Sequence, residues 1–216
     1  MIKVLLADDD VIIREGLSAI LDISDDIHVV GQVSDGAQAV EAARSLQPDV
    51  ILMDIRMPHV DGLTATTAIC SELSNPPRVI MLTTFGQDDY VRSALQAGAA
   101  GFLLKDCDPE VLLQAIRVVH AGDGMLAPAV TQRLMRSYAT LPRLNTEQQQ
   151  ALDTLTPRER QVLDAIGHGK SNADIAAELF MSEGTVKSHV SSLLNKLGAT
   201  NRVQAALLAY TARLTE

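Results

Sequence analysis

Five short runs of consecutive apolar, largely β-branched residues, at positions 2–7, 28–33, 49–53, 78–83 and 100–104, constrain this chain more than any other feature. Apolar residues on successive positions, rather than alternate ones, mark strands covered on both faces. Between the runs the apolar positions fall at helical spacing: Val11, Ile12, Leu17, Ile20 and Leu21, then Ala39, Val40, Ala43 and Leu46. Leu63, Thr67, Ile69 and Leu73 form a third set, Val91, Ala94 and Leu95 a fourth, and Val111, Leu112, Ala115, Ile116 and Val119 a fifth. Five strand–helix units in succession predict an α/β domain: a doubly wound, five-stranded parallel sheet with helices on both faces. Ligands of such sheets bind outside the carboxyl ends of the strands.

Charge divides the chain at the end of that pattern. Residues 1–122 hold 18 acidic against 8 basic residues, and residues 123–216 hold 9 against 10. Two halves so unlike are expected to meet different partners. A polar stretch between them, with Thr146 and Gln148 to Gln150, reads as a linker over 123–151, partly helical near 130–139. The expected partition is therefore 1–122, a linker, and 152–216. No apolar run approaches the roughly 18 residues that span a bilayer. The N-terminus turns acidic at Asp8, unlike a secretory leader. Cys70 and Cys107 are far apart, with no Cys or His at metal-ligand spacing, so they read as thiols of a cytoplasmic protein.

The residues at the strand ends carry chemistry. The first strand runs into Asp8, Asp9 and Asp10, the third into Asp54, the fourth into Thr83 and Thr84, the fifth into Lys105. All lie at one rim of a parallel sheet. Three acids opening a helix also suit the helix dipole, but a carboxylate capping a buried strand is costly unless partnered. Asp8, Asp9 and Asp54 together suit a hard cation such as Mg2+, which takes oxygen ligands. A carboxylate beside that cation is a nucleophile toward phosphorus. Lys105 and the Thr83 hydroxyl then supply the charge and the donor that phosphoryl oxygens need.

These residues, in the order Asp8-Asp9, Leu52-Met53-Asp54-Ile55-Arg56-Met57-Pro58 with Asp61-Gly62, Leu82-Thr83-Thr84 and Gly101-Phe102-Leu103-Leu104-Lys105, resemble the receiver domain of bacterial two-component response regulators. The resemblance spans residues 1 to about 122. It implies a flavodoxin-like sheet of order 2-1-3-4-5, which this sequence alone does not give. It also implies that Asp54 accepts a phosphoryl group from a sensor histidine kinase, and that Asp8, Asp9, Asp54 and the backbone carbonyl of Arg56 hold Mg2+. Lys105 would bind a phosphate oxygen. Thr83 and Phe102 would form a switch, the hydroxyl turning to the phosphate and the ring packing inward behind it. Two positions depart from the commoner pattern: Asp106 follows the lysine where many receivers have proline, and His59 stands where a small residue is usual. Arg56 and Phe85 would flank the phosphate and screen it from attacking water.

The second half reads as a small all-α domain. Thr156-Pro157-Arg158-Glu159 is a capping box with proline at the first helical position, and Ser171-Asn172-Ala173-Asp174 opens a second helix. After a tight connection over Met181 to Gly184, a third helix puts Val186, Val190, Leu193 and Leu197 on one stripe and Gly198 at its end. A last helix is expected over 202–214. Two short helices across a tight turn make a helix-turn-helix, whose second helix enters the major groove. Opposite the apolar stripe lie Lys187, Ser188, Ser191 and Asn195, with Thr185 and Lys196 at the edges. Residues 152–216 balance 7 acids with 7 bases, so one copy is expected to bind DNA weakly, and a dimer on two half-sites would repair that.

Leu155 to Leu163, Ser171 to Ala176, Ser182 to Val190 and Leu194 to Gly198 resemble a LuxR-type DNA-binding domain. A receiver followed by this domain is similar to the NarL/FixJ class of response regulators. The resemblance implies base contacts from Lys187, Ser188 and Ser191, the last often basic in relatives; Thr185, Asn195 and Lys196 are candidates for phosphate contacts. A phosphorylation-switched transcription factor is the leading expectation, with no enzymatic activity beyond its own phosphoryl chemistry. A phosphorylation-independent dimeric regulator and a Mg2+-dependent phosphohydrolase stand as the alternatives.

Overall fold

The computed structural model describes residues 1–84, 90–126 and 146–213. The chain divides into two compact units, the first containing Met1–Ala121 and Met125–Leu126, the second the helices after residue 145. Phe85, the suggested helix near 130–139 and Leu214 lie outside the described residues.

In the first unit β1 (Ile2–Ala7), α1 (Val11–Leu21), β2 (Ile27–Val33), α2 (Gly36–Leu46), β3 (Val50–Asp54) and α3 (Gly62–Glu72) follow in turn. β4 (Arg78–Thr83), α4 (Tyr90–Ala97), β5 (Gly101–Leu104), α5 (Pro109–His120) and β6 (Met125–Leu126) complete it. Every strand pair is parallel and the sheet order is β2-β1-β3-β4-β5-β6. The doubly wound fold is as expected, with one addition. Gly101 and Phe102 of β5 pair with Met125 and Leu126, so the sheet gains a sixth, two-residue strand inside the segment expected to be linker. β1, β3 and β4 carry the core, and all five residues of β3 are buried, as a central strand with helices on both faces requires.

Aspartates start the helices on the carboxyl side of the sheet. Asp10 accepts from the Ile12 amide, Asp35 from Ala37 and Gln38, and Asp61 from Thr64, so each caps a helix whose first amides lack partners. Part of the acidity of this rim is thereby structural. Glycines let the backbones close up behind it: a Cβ on Gly62 would stand 1.9 Å from the Asp54 carbonyl oxygen.

The second unit holds α6 (Thr146–Asp153), α7 (Pro157–Gly167), α8 (Asn172–Leu179), α9 (Glu183–Leu197) and α10 (Arg202–Arg213). Gln148 to Gln150 are helical here, where the sequence read as linker. Glutamine is a good helix former, and Leu152 one turn on is buried in the second core, anchoring the helix. That core joins Leu155, Val162, Leu163, Ile166 and Ile175 to the α9 stripe Val186, Val190, Leu193 and Leu197. Capping boxes start α7 at Thr156 and Glu159 and α8 at Ser171 and Asp174. Among the described residues no helix is long and apolar enough to cross a membrane.

The turn between α8 and α9 carries a strained residue. Phe180 has φ 54° and is 96% exposed, a bulky aromatic in the left-handed region with almost no packing to offset it. Replacing Phe180 by glycine should therefore stabilise the second unit by about 1 kcal/mol. A thermal melt should show its midpoint rise by about 4–8 °C, since a domain of this size gains that much per kcal/mol.

Candidate functional site

The acids that cap no helix converge at the rim. Asp8 ends β1 at 1% exposure, Asp9 beside it is exposed, and Asp54 ends β3 at 6% exposure. Each presents one carboxylate oxygen to a cluster whose members lie within 4.8 Å of one another. The parallel register makes this happen: Ala7 pairs with Met53, so the next residues, Asp8 and Asp54, emerge side by side.

Lys105, one residue past β5, reaches across two strands. Its backbone amide donates to the Thr83 carbonyl at 2.7 Å, and its ammonium lies 2.6 Å from Asp8 Oδ2 and 2.9 Å from Asp54 Oδ1. Burial raises the Asp54 carboxyl above its ordinary value, against the pull of Lys105. Burial works the other way on Lys105 but is outweighed by its bonds to Asp8 and Asp54, so the ammonium is held above its usual range. Asp8 is fixed at both ends: its side-chain Oδ1 accepts the Asp10 amide at 3.0 Å, and Arg14 Nη1 donates to its backbone carbonyl at 2.5 Å. Arg14 went unnoticed in the sequence, where an arginine on the first turns of a helix looks like any solvated side chain.

Three carboxylates here meet one ammonium, an excess of negative charge in a partly buried place. Buried carboxylates need partners, and a donor set made only of oxygens suits a hard divalent ion such as Mg2+ better than a thiophilic one. The residues present therefore fit the group that the sequence suggested.

The other residues expected at this rim lie close by in the chain's own geometry. Thr83 is buried at the end of β4, its hydroxyl donating to the Thr84 carbonyl at 3.2 Å. Phe102 pairs with Met81 across the sheet and is 1% exposed. The ring is inside while the hydroxyl faces its neighbour's carbonyl. A phenyl ring has no hydroxyl to draw it toward water, and burying it is worth about 1.5–3 kcal/mol. Arg56 is exposed just past Asp54, its guanidinium 5.9 Å above the Tyr90 ring. His59 is exposed with φ 61° in the same loop.

In the second unit α9 buries its predicted stripe and exposes Thr185, Lys187, Ser188, Ser191, Asn195 and Lys196. Ser182 caps the helix, accepting from the Thr185 amide, and the Ser188 hydroxyl donates to the Gly184 carbonyl at 3.0 Å. Both are local bonds within the first turns of the helix. Lys196 differs: its ammonium is 2.7 Å from Glu159 Oε2, and Ser192 donates to Glu159 Oε1 at 2.6 Å. Glu159 was legible only as the fourth residue of a capping box. Nothing local in the sequence links it to residues 33 and 37 positions away.

Comparison with known proteins bears on both units. Residues 4–117 match the response regulator receiver domain, and residues 153–209 match the luxR family of bacterial regulatory proteins. The transcriptional regulatory protein LiaR of Bacillus subtilis is 42% identical over 212 residues, 97% of each chain. The nitrate/nitrite response regulator protein NarL of Escherichia coli K12 is 38% identical over 211 residues, 98% of this chain and 96% of that one. Among solved structures, the response regulator ChrA of a heme-sensing two-component system is similar with TM-score 0.55 at 38% identity, covering 99% and 98% of the two chains. RcsB, in a structure of two RcsB dimers bound to two parallel DNAs, gives TM-score 0.57 at 25% identity over 98% of each chain.

Two outcomes follow from the geometry. Gly62→Ala drives a methyl group into the Asp54 carbonyl and should cost about 3 kcal/mol in urea unfolding of the first unit, at the upper end for overpacking. The bonds from Lys196, Ser192 and the Thr156 amide hold the Glu159 carboxyl at about 2, below its ordinary 4.5. A carboxyl depressed in the folded state stabilises above its unfolded value and loses that stabilisation as pH falls through the folded one. The second unit should therefore weaken between pH 4.5 and about 2. Melts across that range should show a flatter profile for Glu159→Gln.

Proposed function

Because the chain belongs to the response regulators that join a receiver domain to a LuxR-type DNA-binding domain, we propose that it is a transcription factor switched by phosphorylation of Asp54, with a sensor histidine kinase as the donor. The convergence of Asp8, Asp9 and Asp54 around the Lys105 ammonium is the observation that carries this reading. Asp54 attacks the phosphorus of a phosphohistidine whose other ring nitrogen is protonated; an O–P bond to Asp54 forms as the N–P bond breaks, and the histidine leaves as a neutral imidazole. Asp8, Asp9, Asp54 and the Arg56 carbonyl would hold Mg2+, which when bound would offset charge on the phosphoryl oxygens. Lys105 leaves Asp54 for a phosphoryl oxygen. Thr83 rotates its hydroxyl away from the Thr84 carbonyl toward another, against the buried Phe102 ring. The modification brings about −1.5 to −2 charges to the rim.

The second unit reads DNA through α9. Lys187, Ser188 and Ser191 face base edges, Lys reaching guanine O6 and N7 and serine either pairing edge. Thr185, Asn195 and Lys196 flank them at the phosphates, the last sharing its charge with Glu159. We assign residues 1–122 to the receiver, 123–151 to the connection and 152–216 to the DNA-binding domain. The balanced charge of the last of these favours a homodimer on two half-sites, strengthened by phosphorylation. The protein works in the cytoplasm, where its kinase domain partner and DNA are both reached.

Acetyl phosphate with Mg2+ should retard the wild type in a phosphoprotein mobility gel and leave Asp54→Ala unmoved. Size-exclusion chromatography should show dimer formation only in the retarded sample. A dimer that forms equally in Asp54→Ala would favour a regulator independent of phosphorylation.

A further inference from the structure

Apolar packing fixes only part of the position of α9. Val186, Val190, Leu193 and Leu197 seat the helix on the second core, but apolar contact is non-directional. Close packing seats the helix, and hydrogen bonds add the directional restraint that apolar contact lacks. Base readout depends on that restraint, because paired hydrogen bonds to a base edge need their donors in place.

A directional restraint lies at the edge of the helix, between the DNA-facing residues and the core. Glu159 is 4% exposed and belongs to α7, where it accepts the Thr156 amide at 2.8 Å and the Thr156 hydroxyl at 2.9 Å. Its two oxygens also receive Ser192 at 2.6 Å and Lys196 at 2.7 Å, residues one turn apart on α9. Two bonds one turn apart fix both the axial position and the roll of a helix, as one bond does not. The pairing also cancels the charge of Lys196, whose side chain is only one-third exposed.

We propose that Glu159 is a positioning residue for sequence recognition, locking the recognition helix through Ser192 and Lys196 while offsetting the charge that Lys196 presents to the phosphates. The proposal rests on the DNA-reading role of α9. It makes the two consequences of losing the Glu159 charge opposite in sign. Specific binding falls, because α9 is no longer held in register. Binding to arbitrary duplex rises, because Lys196 becomes a free cation and adds one counterion to those released.

The test uses the full chain. Wild type, after acetyl phosphate and Mg2+ treatment, enriches a duplex from a random 30-base-pair library, about three turns of DNA. Affinity for that duplex and for a mixed-sequence duplex is then measured against salt for wild type, E159Q and S192A. Glutamine keeps the acceptor that caps α7, and Ser192→Ala removes a single donor. E159Q is expected to lower the ratio of specific to mixed-sequence affinity about tenfold, and to steepen the salt slope on mixed-sequence duplex by about 0.9. S192A should lower the same ratio with an unchanged slope. Equal loss on both duplexes with an unchanged slope would mean that Glu159 only supports the fold and would overturn the proposal, as would wild-type ratios in both variants. Failure of the wild type to enrich any duplex counts against the DNA-reading role itself. The mixed-sequence slope would still decide whether Glu159 offsets the Lys196 charge.

Discussion

A strand buried on both faces has no room for a charge along its length, and β3 obeys this from Val50 to Met53. Asp54 is the first polar group it presents, and the parallel pairing with β1 delivers Asp8 to the same place. Neither carboxylate is tolerable there alone. The Lys105 ammonium between them, carried in from β5 by a backbone bond to Thr83, makes the arrangement stable and ties three strands together at one point. The surrounding loops then have little freedom: the Gly62 amide donates to the Ile55 carbonyl and the Gly36 amide to the Val60 carbonyl, each at 3.0 Å. A buried charge cluster held this closely is poised for a change of charge, because any new ligand must redistribute the bonds Lys105 makes.

The second unit is built on a different economy. Its core is small, and its helices depend on their ends. Thr156, Ser171 and Ser182 each cap a helix, and two of these caps are reciprocal boxes. Glu159 extends one such box from a local device into a link between helices. The same carboxylate thus begins α7 and restrains α9. Phe180 is the opposite case, a position where the backbone geometry needed between α8 and α9 prevails over the preference of the residue that occupies it.

The order of strands and helices in the first unit was legible because each strand is a continuous apolar run and each helix has its own period. The limits of β1 and β4 fell at the residues expected. β6 was not legible, since two residues carry no period and only the open edge of β5 gives them a partner. Gln148 to Gln150 misled for a related reason: three polar residues look like a linker until Leu152 is seen to be buried. Asp8, Asp9, Asp54, Thr83 and Lys105 were legible as strand-end residues, and the fold gathers them at one rim. Arg14 and the longer reach of Glu159 were not, because their partners are a backbone carbonyl and side chains on another helix.

The sequence by itself determined the alternation of elements, the caps and the identity of the strand-end residues, because periodicity, helix capping and turn chemistry act over a few neighbouring residues. Tertiary structure alone decided which of the rim acids remain uncapped and face one another. It also decided that Lys105 bridges Asp8 and Asp54, that the Phe102 ring lies inside while the Thr83 hydroxyl donates to the Thr84 carbonyl, and that Glu159 bonds Ser192 and Lys196 of α9. Those outcomes depend on strand register and on the packing of helices distant in sequence, where the energy of each contact is set by partners that no local pattern can name.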